Sequence, residues 1–183
     1  KFKGMFAFAL LDKKSNTITF VRDGFGMKPL YFQNNENDLF FASEINALLN
    51  FPQISKKVNH LIAYQYLVQN TYDFSNKTFF DGIIQLKPGH LIEFKLEKGL
   101  PFQEYKWWEP NLKQIKNINY FDAKELIRKS FLDNIKLHLR SDVPIGVALS
   151  GGVDSSCIAC AMRYLEPNLP IHTFTYSDEN QNI

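Results

Sequence analysis

The stretch VALSGGVDSSCIACAM, from Val147 to Met162, places two glycines, an aspartate and three serines between apolar residues. Adjacent glycines allow backbone conformations that other residues avoid, and they let a ligand approach closely. The N–H groups of such a turn, with the unpaired donors at the start of a following helix, bind anions. The hydroxyls of Ser150, Ser155 and Ser156 would add donors, so the pattern predicts a phosphate-binding loop.

Asp154 is the unexpected member of this group, because a carboxylate repels a neighbouring phosphate unless a cation lies between them. Mg²⁺ takes oxygen ligands from carboxylates and phosphates together, which predicts a polyphosphate site with Asp154 as the metal ligand. The alternative is a plain turn at Gly151 and Gly152, with Asp154 as an ordinary helix cap. The stretch is neither a Walker A loop, which needs Gly-Lys-Ser/Thr, nor a dinucleotide fingerprint, which needs a third glycine.

The residues on either side of the loop predict the elements that must position it. Residues 145–150 are a compact apolar run suited to a buried strand, residues 155–166 are helical, and residues 171–177 form a second strand-like run. Strand, helix and strand within about 35 residues indicate a βαβ unit and a parallel sheet. A longer helix is predicted upstream, beginning at Asp122 with Glu125 as its capping-box partner.

The first hundred residues have a different pattern, in which short polar turns separate β-prone runs. Three hairpins are predicted, with turns at 12–16, 34–38 and 87–90. A short helix from Ser43 and a longer helix capped by Asn59 are predicted between them.

Two further features of the first hundred or so residues favour structural roles. The stretch RDGFGMKP contains Arg22, Asp23 and Lys28 and favours a structural loop with an Arg–Asp pair over a polar hinge near an ammonia path. The neighbouring Trp107 and Trp108 are interpreted as packing at a domain junction rather than as a binding platform.

The composition bounds the classes of function. A net charge of +2 argues against a broad nucleic-acid surface. Two cysteines form no disulfide framework, which favours a reducing, cytoplasmic compartment. No apolar stretch reaches the roughly 18 residues of a membrane span. The pair Cys157 and Cys160 is predicted to be small buried helix residues rather than a zinc or redox site.

The residues of the loop and of the segments before it resemble a known family. SGGVDSS resembles the pyrophosphate loop (PP-loop) of ATP pyrophosphatases. LRSDVPIGVAL resembles the segment before that loop in glutamine-hydrolysing asparagine synthetases, and three further segments resemble the later part of their glutaminase domain: GMFAFALLDKKSNTITFVRDGFGMKPLYF, LFFASEINALL and LKPGHLIEF. The resemblance covers nearly the whole chain in the family's order.

The resemblance implies a fold in two parts. Residues 1–105 would be the later part of a class II glutamine amidotransferase domain, an α+β fold of the Ntn-type αββα kind with antiparallel sheets. Residues 106–120 would be a linker. Residues 121–183 would begin an α/β PP-loop domain similar to adenine nucleotide α-hydrolases.

The resemblance also implies a reaction and its residues. Glutamine would supply ammonia, and ATP would activate aspartate as aspartyl-AMP with release of pyrophosphate. Leu149 would touch the nucleoside, and Tyr176 falls where the family places a smaller aliphatic residue beside adenine. The residues expected to hold pyrophosphate and Mg²⁺ are Ser150, Gly151, Gly152, Asp154, Ser155 and Ser156.

Two departures from the family limit these expectations. The chain begins at Lys1 and lacks the family's N-terminal cysteine nucleophile, so no catalytic residue is assigned to it. It ends at Ile183, before the family's later adenine and aspartate motifs, so we expect this chain alone to be inactive. The alternatives are a sibling amidotransferase acting on a peptide, sugar or β-lactam precursor, and a non-catalytic nucleotide-binding scaffold. No nucleic-acid or membrane partner is expected, and a homodimer is left open.

Overall fold

The computed structural model describes residues 2–71, 75–97, 99–113 and 117–177. The chain divides into two compact units, Lys1–Leu112 and Lys113–Ile183, which are called the first and second units below. Residues 114–116 of the predicted linker and residues 178–183 at the end of the predicted PP-loop domain lie outside the described residues.

The first unit is an α+β structure with two antiparallel sheets. Its strands are β1 (Ala7–Asp12), β2 (Thr17–Arg22), β3 (Tyr31–Asn34), β4 (Leu39–Ala42), β5 (Ile84–Gln85), β6 (His90–Lys95) and β7 (Phe102–Lys106). The strand order is β1-β2-β6-β7 in one sheet and β4-β3-β5 in the other. The predicted hairpins β1–β2 and β3–β4 are confirmed by their antiparallel registers.

The third predicted hairpin, around the turn at 87–90, is wrong. β5 pairs with β3, whereas β6 pairs with β2 and β7. The chain crosses from one sheet to the other between β5 and β6, because Leu86 is only 1% exposed and fills the core between the sheets. Strand β7 has no counterpart among the predicted elements, since all five of its residues are exposed and show no buried alternation.

The core of the first unit lies where the two sheets face each other. It contains Phe20, Leu30, Phe32, Leu86, Ile92 and Phe94. The rings of Phe20 and Phe32, one from each sheet, have centroids 6.0 Å apart. Alternate residues of β2 and β6 point into this core, as the period of two in a strand requires.

Two helices accompany the sheets of the first unit. Helix α1 (Ile45–Leu48) is shorter than predicted and packs through Leu48 into a second cluster with Ile54 and Ile83. Helix α2 (His60–Gln69) has the predicted cap, because the side chain of Asn59 accepts a hydrogen bond from the Ile62 N–H at 3.3 Å.

The loop after β2 is held by two buried charged side chains. Arg22 is 6% exposed and Asp23 is 2% exposed. The Arg22 guanidinium donates to the carbonyls of Gly26, Lys28 and Leu86. The Asp23 carboxylate accepts from the N–H groups of Phe6, Phe25, Met27 and Lys28. These hydrogen bonds join the two charged side chains to backbone groups, as in a structural loop.

Trp107 and Trp108 also belong to the first unit. Both backbone N–H groups donate to the carbonyl of Gly89. The Trp107 indole donates to the Arg22 carbonyl at 3.1 Å, and its ring stacks on Phe6. These contacts pack both tryptophans on the loops of the first unit.

The second unit contains the predicted strand, helix and strand. Its elements are α3 (Tyr120–His138), β8 (Gly146–Ala148), α4 (Val153–Leu165) and β9 (His172–Phe174). Strands β8 and β9 pair in parallel, which confirms the predicted βαβ connection. The core joins the two helices through Ile135, Ala161 and Met162.

Helix α3 begins at Tyr120, so the prediction that Asp122 caps it is wrong. Asn119 is the N-cap and accepts from the Asp122 N–H at 3.0 Å. The Asn119 amide also donates to the Asp122 carboxylate at 2.8 Å. Asp122 is therefore the acidic partner of the cap rather than the cap itself, because Tyr120 and Phe121 continue the helix upstream.

The prediction that Cys157 and Cys160 are buried is wrong, although both lie in a helix as predicted. Cys157 and Cys160 are both exposed on α4. In the part of the chain that the structure describes, no helix combines the length and apolar character needed to cross a membrane.

Candidate functional site

The predicted phosphate loop joins the end of β8 to the start of α4. Ser150, Gly151, Gly152 and Asp154 are exposed there, and Leu149 is half-buried. The loop therefore lies open at the surface of the second unit, and its backbone is accessible to a ligand.

Gly151 has a backbone conformation that favours glycine. Its φ is +78°, in the left-handed region, and a Cβ built on it would meet no atom within 4 Å. The backbone angle thus favours glycine at this position, and the space beside it is open. Gly152 is the N-cap of α4 and offers no capping side chain. Helix geometry leaves the first N–H groups of α4 without intrahelical partners, so these donors face outward at the loop.

Three serines lie at this turn, and the hydroxyls of Ser150 and Ser155 bond within it. The Ser155 Oγ accepts from the Ser150 N–H at 3.2 Å and lies 3.1 Å from the Ser150 Oγ. The same hydroxyl donates to the Gly152 carbonyl at 3.1 Å. The backbone N–H of Ser156 donates to that carbonyl as well, at 3.1 Å. Ser155 therefore links the two ends of the turn.

Asp154 lies in the first turn of α4 and is exposed. Among the described residues, no group of three or more His, Cys, Asp and Glu side chains could hold a metal ion. The carboxylate of Asp154 lies beside the N–H donors at the start of α4. This donor set fits Mg²⁺, which binds through one or two carboxylates together with phosphate oxygens and waters.

The strand ends bring two further predicted residues to the same edge of the sheet. The Leu149 N–H donates to the Phe174 carbonyl at 2.8 Å, which continues the β8–β9 ladder by one residue. Tyr176 follows shortly after β9 and is 91% exposed. Leu149 and Tyr176 therefore both follow the carboxyl ends of adjacent parallel strands, where open α/β sheets bind ligands.

Sequence analysis did not identify Thr175 as a residue of this edge. The Thr175 hydroxyl donates to the Leu149 carbonyl at 2.8 Å. The signal that could have revealed it is a hydroxyl side chain placed directly after a predicted strand, next to the loop.

A hollow of about 470 Å³ lies beside the later part of α4 and the start of β9. Its lining includes Cys160, Arg163, Ile171 and Thr173. None of the predicted site residues lines it, so the hollow and the loop are separate features of the second unit.

The sequence matches two family profiles. Residues 1–108 match the profile described as glutamine amidotransferase domain, and residues 126–181 match the profile described as asparagine synthase. The first covers more than half of the chain, and the second contains the whole of the loop.

Curated proteins are similar to nearly the whole chain. Asparagine synthetase [glutamine-hydrolyzing] 1 of Bacillus subtilis is 31% identical over 100% of this chain and 28% of its own length. Asparagine synthetase [glutamine-hydrolyzing] 3 of the same organism is 32% identical over 98% of this chain and 29% of its own length. Amidase chry2 of Gibberella zeae is 29% identical over 89% of this chain and 24% of its own length. The chain thus spans less than a third of the length of these three relatives.

Proposed function

Because this chain belongs to the family of glutamine-hydrolysing asparagine synthetases, we propose that it forms part of an ATP-dependent amidotransferase. ATP would activate aspartate as aspartyl-AMP with release of pyrophosphate, and ammonia from glutamine would then attack the activated carboxyl. Residues 1–105 would be the later part of a class II, Ntn-type αββα glutaminase domain. Residues 106–120 would be a linker, and residues 121–183 the first part of the PP-loop domain.

The exposed loop between β8 and α4 carries this proposal. Its left-handed Gly151 and the uncapped start of α4 direct backbone donors outward. Negative charge accumulates on pyrophosphate as it leaves, and N–H groups fixed in advance stabilise that charge. The residues proposed to lie against pyrophosphate are Ser150, Gly151, Gly152, Asp154, Ser155 and Ser156.

The nucleoside would lie at the carboxyl ends of β8 and β9. Leu149 would contact the ribose or base, and Tyr176, which is 91% exposed, would lie beside adenine. An aromatic side chain can stack on a base through its ring face. The tyrosine would thereby serve where the family usually has a smaller aliphatic side chain.

Asp154 would be the protein's ligand to Mg²⁺ in this proposal. The ion would neutralise charge on the phosphates and orient them for displacement. The exposed position of Asp154 in the first turn of α4 supports this role, since the carboxylate can reach an ion held on the loop side.

The nitrogen-releasing step is not assigned to residues of this chain. Cys157 and Cys160 both lie in α4 of the second unit, and residues 1–112 contain no cysteine that could attack glutamine. The free thiols of these two cysteines support a reducing, cytoplasmic location, which we also propose.

The test is ATP–pyrophosphate exchange by the full-length protein with aspartate and Mg²⁺. Exchange that depends on aspartate supports the proposal. Exchange only with another carboxylic acid would instead support a sibling amidotransferase, an alternative favoured by the similarity to amidase chry2. Absence of exchange with every acid tried would refute an activating role and leave a nucleotide-binding scaffold.

A further inference from the structure

We propose that the hydroxyls of Thr175 and Ser155 are positioning groups that hold residues 149–156 in their binding shape before any ligand arrives. The proposal rests on the proposed role of this loop as the nucleotide site. Neither hydroxyl needs to touch the nucleotide, because both act through the backbone that would bind it. The backbone N–H of Ser155 would then face the phosphate, while its side chain stabilises the turn through hydrogen bonds.

The hydrogen-bonding capacity of the Ser155 hydroxyl is fully used inside the loop. A serine hydroxyl has one proton to donate and two lone pairs to accept with. Its proton goes to the Gly152 carbonyl at 3.1 Å. Its lone pairs face the Ser150 N–H at 3.2 Å and the Ser150 hydroxyl at 3.1 Å. A phosphate oxygen could bind this hydroxyl only by breaking the bond to Gly152.

Thr175 braces the other end of the loop. The last residue pair in the β8–β9 register is Ala148 with Phe174, and one further backbone bond runs from the Leu149 N–H to Phe174. Beyond that point the strands separate, and the Thr175 hydroxyl spans the gap by donating to the Leu149 carbonyl at 2.8 Å. Leu149, the first residue of this segment, is therefore hydrogen-bonded through both its N–H and its carbonyl.

These two ties fix the ends of a short segment that contains a left-handed glycine, Gly151 at φ +78°. A segment held in its bound conformation loses less entropy on binding, so affinity rises without a new contact to the ligand. The expected consequence is that removing a brace weakens ATP binding through the loop's mobility, with a smaller effect on the turnover of bound ATP.

The experiment compares Thr175→Val with Thr175→Ser in the full-length protein. Valine keeps the shape but removes the hydroxyl, whereas serine keeps it. In Thr175→Val we expect the hydrogen-bonded amides of Leu149, Ser150 and Ser156 to exchange with deuterium about three- to tenfold faster. The KM for ATP should rise by a similar factor, the range that loss of one neutral hydrogen bond corresponds to. Thr175→Ser should restore both values.

Thr173→Val is the matched control, because Thr173 lies on β9 but faces the hollow beside α4 rather than the loop. It should leave the exchange of the loop amides unchanged. A second pair of variants distinguishes the role of the Ser155 hydroxyl from that of the Ser156 hydroxyl. Ser155→Ala should speed the exchange of the loop amides, whereas Ser156→Ala should not.

Each outcome decides the proposal. Wild-type amide exchange in both Thr175→Val and Ser155→Ala would overturn it. Faster exchange in Thr175→Val with an unchanged KM for ATP would overturn the positioning role and leave a local structural bond. Failure of the wild-type protein to exchange pyrophosphate with any acid would instead refute the proposed function. The deuterium measurement needs no nucleotide, so it would still decide whether the hydroxyls stabilise the conformation of the loop.

Discussion

Two aspartates at the starts of turns show how residue-scale surroundings decide what a carboxylate can do. Asp23 is 2% exposed and accepts hydrogen bonds from four backbone N–H groups. Asp154 is exposed in the first turn of α4. The Asp23 carboxylate binds backbone groups of its own loop, whereas the Asp154 carboxylate is accessible to a cation.

Asp154→Asn is expected to abolish Mg²⁺-dependent ATP–pyrophosphate exchange in the full-length protein. The amide keeps the size of the side chain but loses the charge that would attract Mg²⁺. Asp133→Asn, an exposed change on α3 in the same unit, is the control and should exchange at the wild-type rate. Wild-type exchange by Asp154→Asn would refute its assignment as the metal ligand.

Asp23→Asn is expected to lower the free energy of unfolding of the first unit by about 2 kcal/mol. Hydrogen bonds to a charged group contribute about 1.5–3 kcal/mol, and an amide offers one acceptor oxygen where the carboxylate offers two. Chemical denaturation at neutral pH measures the change. Asp38→Asn, in the exposed β3–β4 turn, should change stability by less than about 0.5 kcal/mol. Equal effects of the two substitutions would contradict the structural role of Asp23.

The effect of Asp23 should depend on pH. Burial disfavours the charged form and would raise the pKa of this carboxyl, but the N–H donors of Lys28, Met27, Phe6 and Phe25 outweigh burial and hold the pKa below its usual range. A carboxyl with a lowered pKa stabilises the fold above its unfolded pKa of about 3.9. The stability difference between wild type and Asp23→Asn should therefore be full at neutral pH and shrink as the pH falls below about 4. A difference that grows on acidification would contradict this.

At the scale of elements, the loop and α4 act together because one supplies the bend and the other the donors. The bend needs a left-handed residue at Gly151, and α4 needs an N-cap that leaves its first N–H groups uncovered, which Gly152 provides. Helix α3 shows the opposite arrangement, since the side chain of Asn119 caps its start. Of α3 and α4, the helix whose start has no side-chain cap is the one at the candidate site.

Gly151→Ala is expected to cost about 1 kcal/mol of stability, because alanine is strained at a φ of +78° even though the space around it is open. Gly99→Ala is a matched control, since Gly99 has a φ of +83° and equally open surroundings in the first unit. Both variants should lose similar stability in thermal unfolding. Only Gly151→Ala should also raise the KM for ATP, and an equal rise in both would remove the loop from the nucleotide site.

At the scale of the molecule, each unit has a core of its own. The first unit buries aromatic rings between its sheets, and the second buries aliphatic side chains between α3 and α4. The first unit carries the antiparallel sheets expected of a glutamine amidotransferase domain, and the second carries the parallel pair that presents the loop. The candidate site therefore depends locally on the second core.

Phe94→Ala is expected to destabilise the first unit by about 3–5 kcal/mol, because it leaves a cavity in a fully buried aromatic cluster. Leu10→Ala, which truncates a side chain that is 59% exposed on β1, should cost less than about 1 kcal/mol. Hydrogen exchange of β2 and β6 amides in the full-length protein measures both. Similar losses of protection in the two variants would contradict the position of the core between the sheets.

The sequence by itself determined the elements whose signals are local. The hairpins β1–β2 and β3–β4, the Asn59 cap and the βαβ connection were predicted because turn residues, caps and short apolar runs act over a few neighbouring residues. The same locality made the candidate phosphate loop recognisable, since its glycines, serines and aspartate lie within seven consecutive residues, 150–156.

Only the tertiary structure decided the features that join distant residues. The partner of β5 is β3 rather than β6, and the exposed edge strand β7 pairs with β6, because strand pairing depends on how whole sheets pack. The tie from Thr175 to Leu149 likewise spans 26 residues. Local pattern specifies which residues form the loop, whereas long-range packing specifies which side chains hold it.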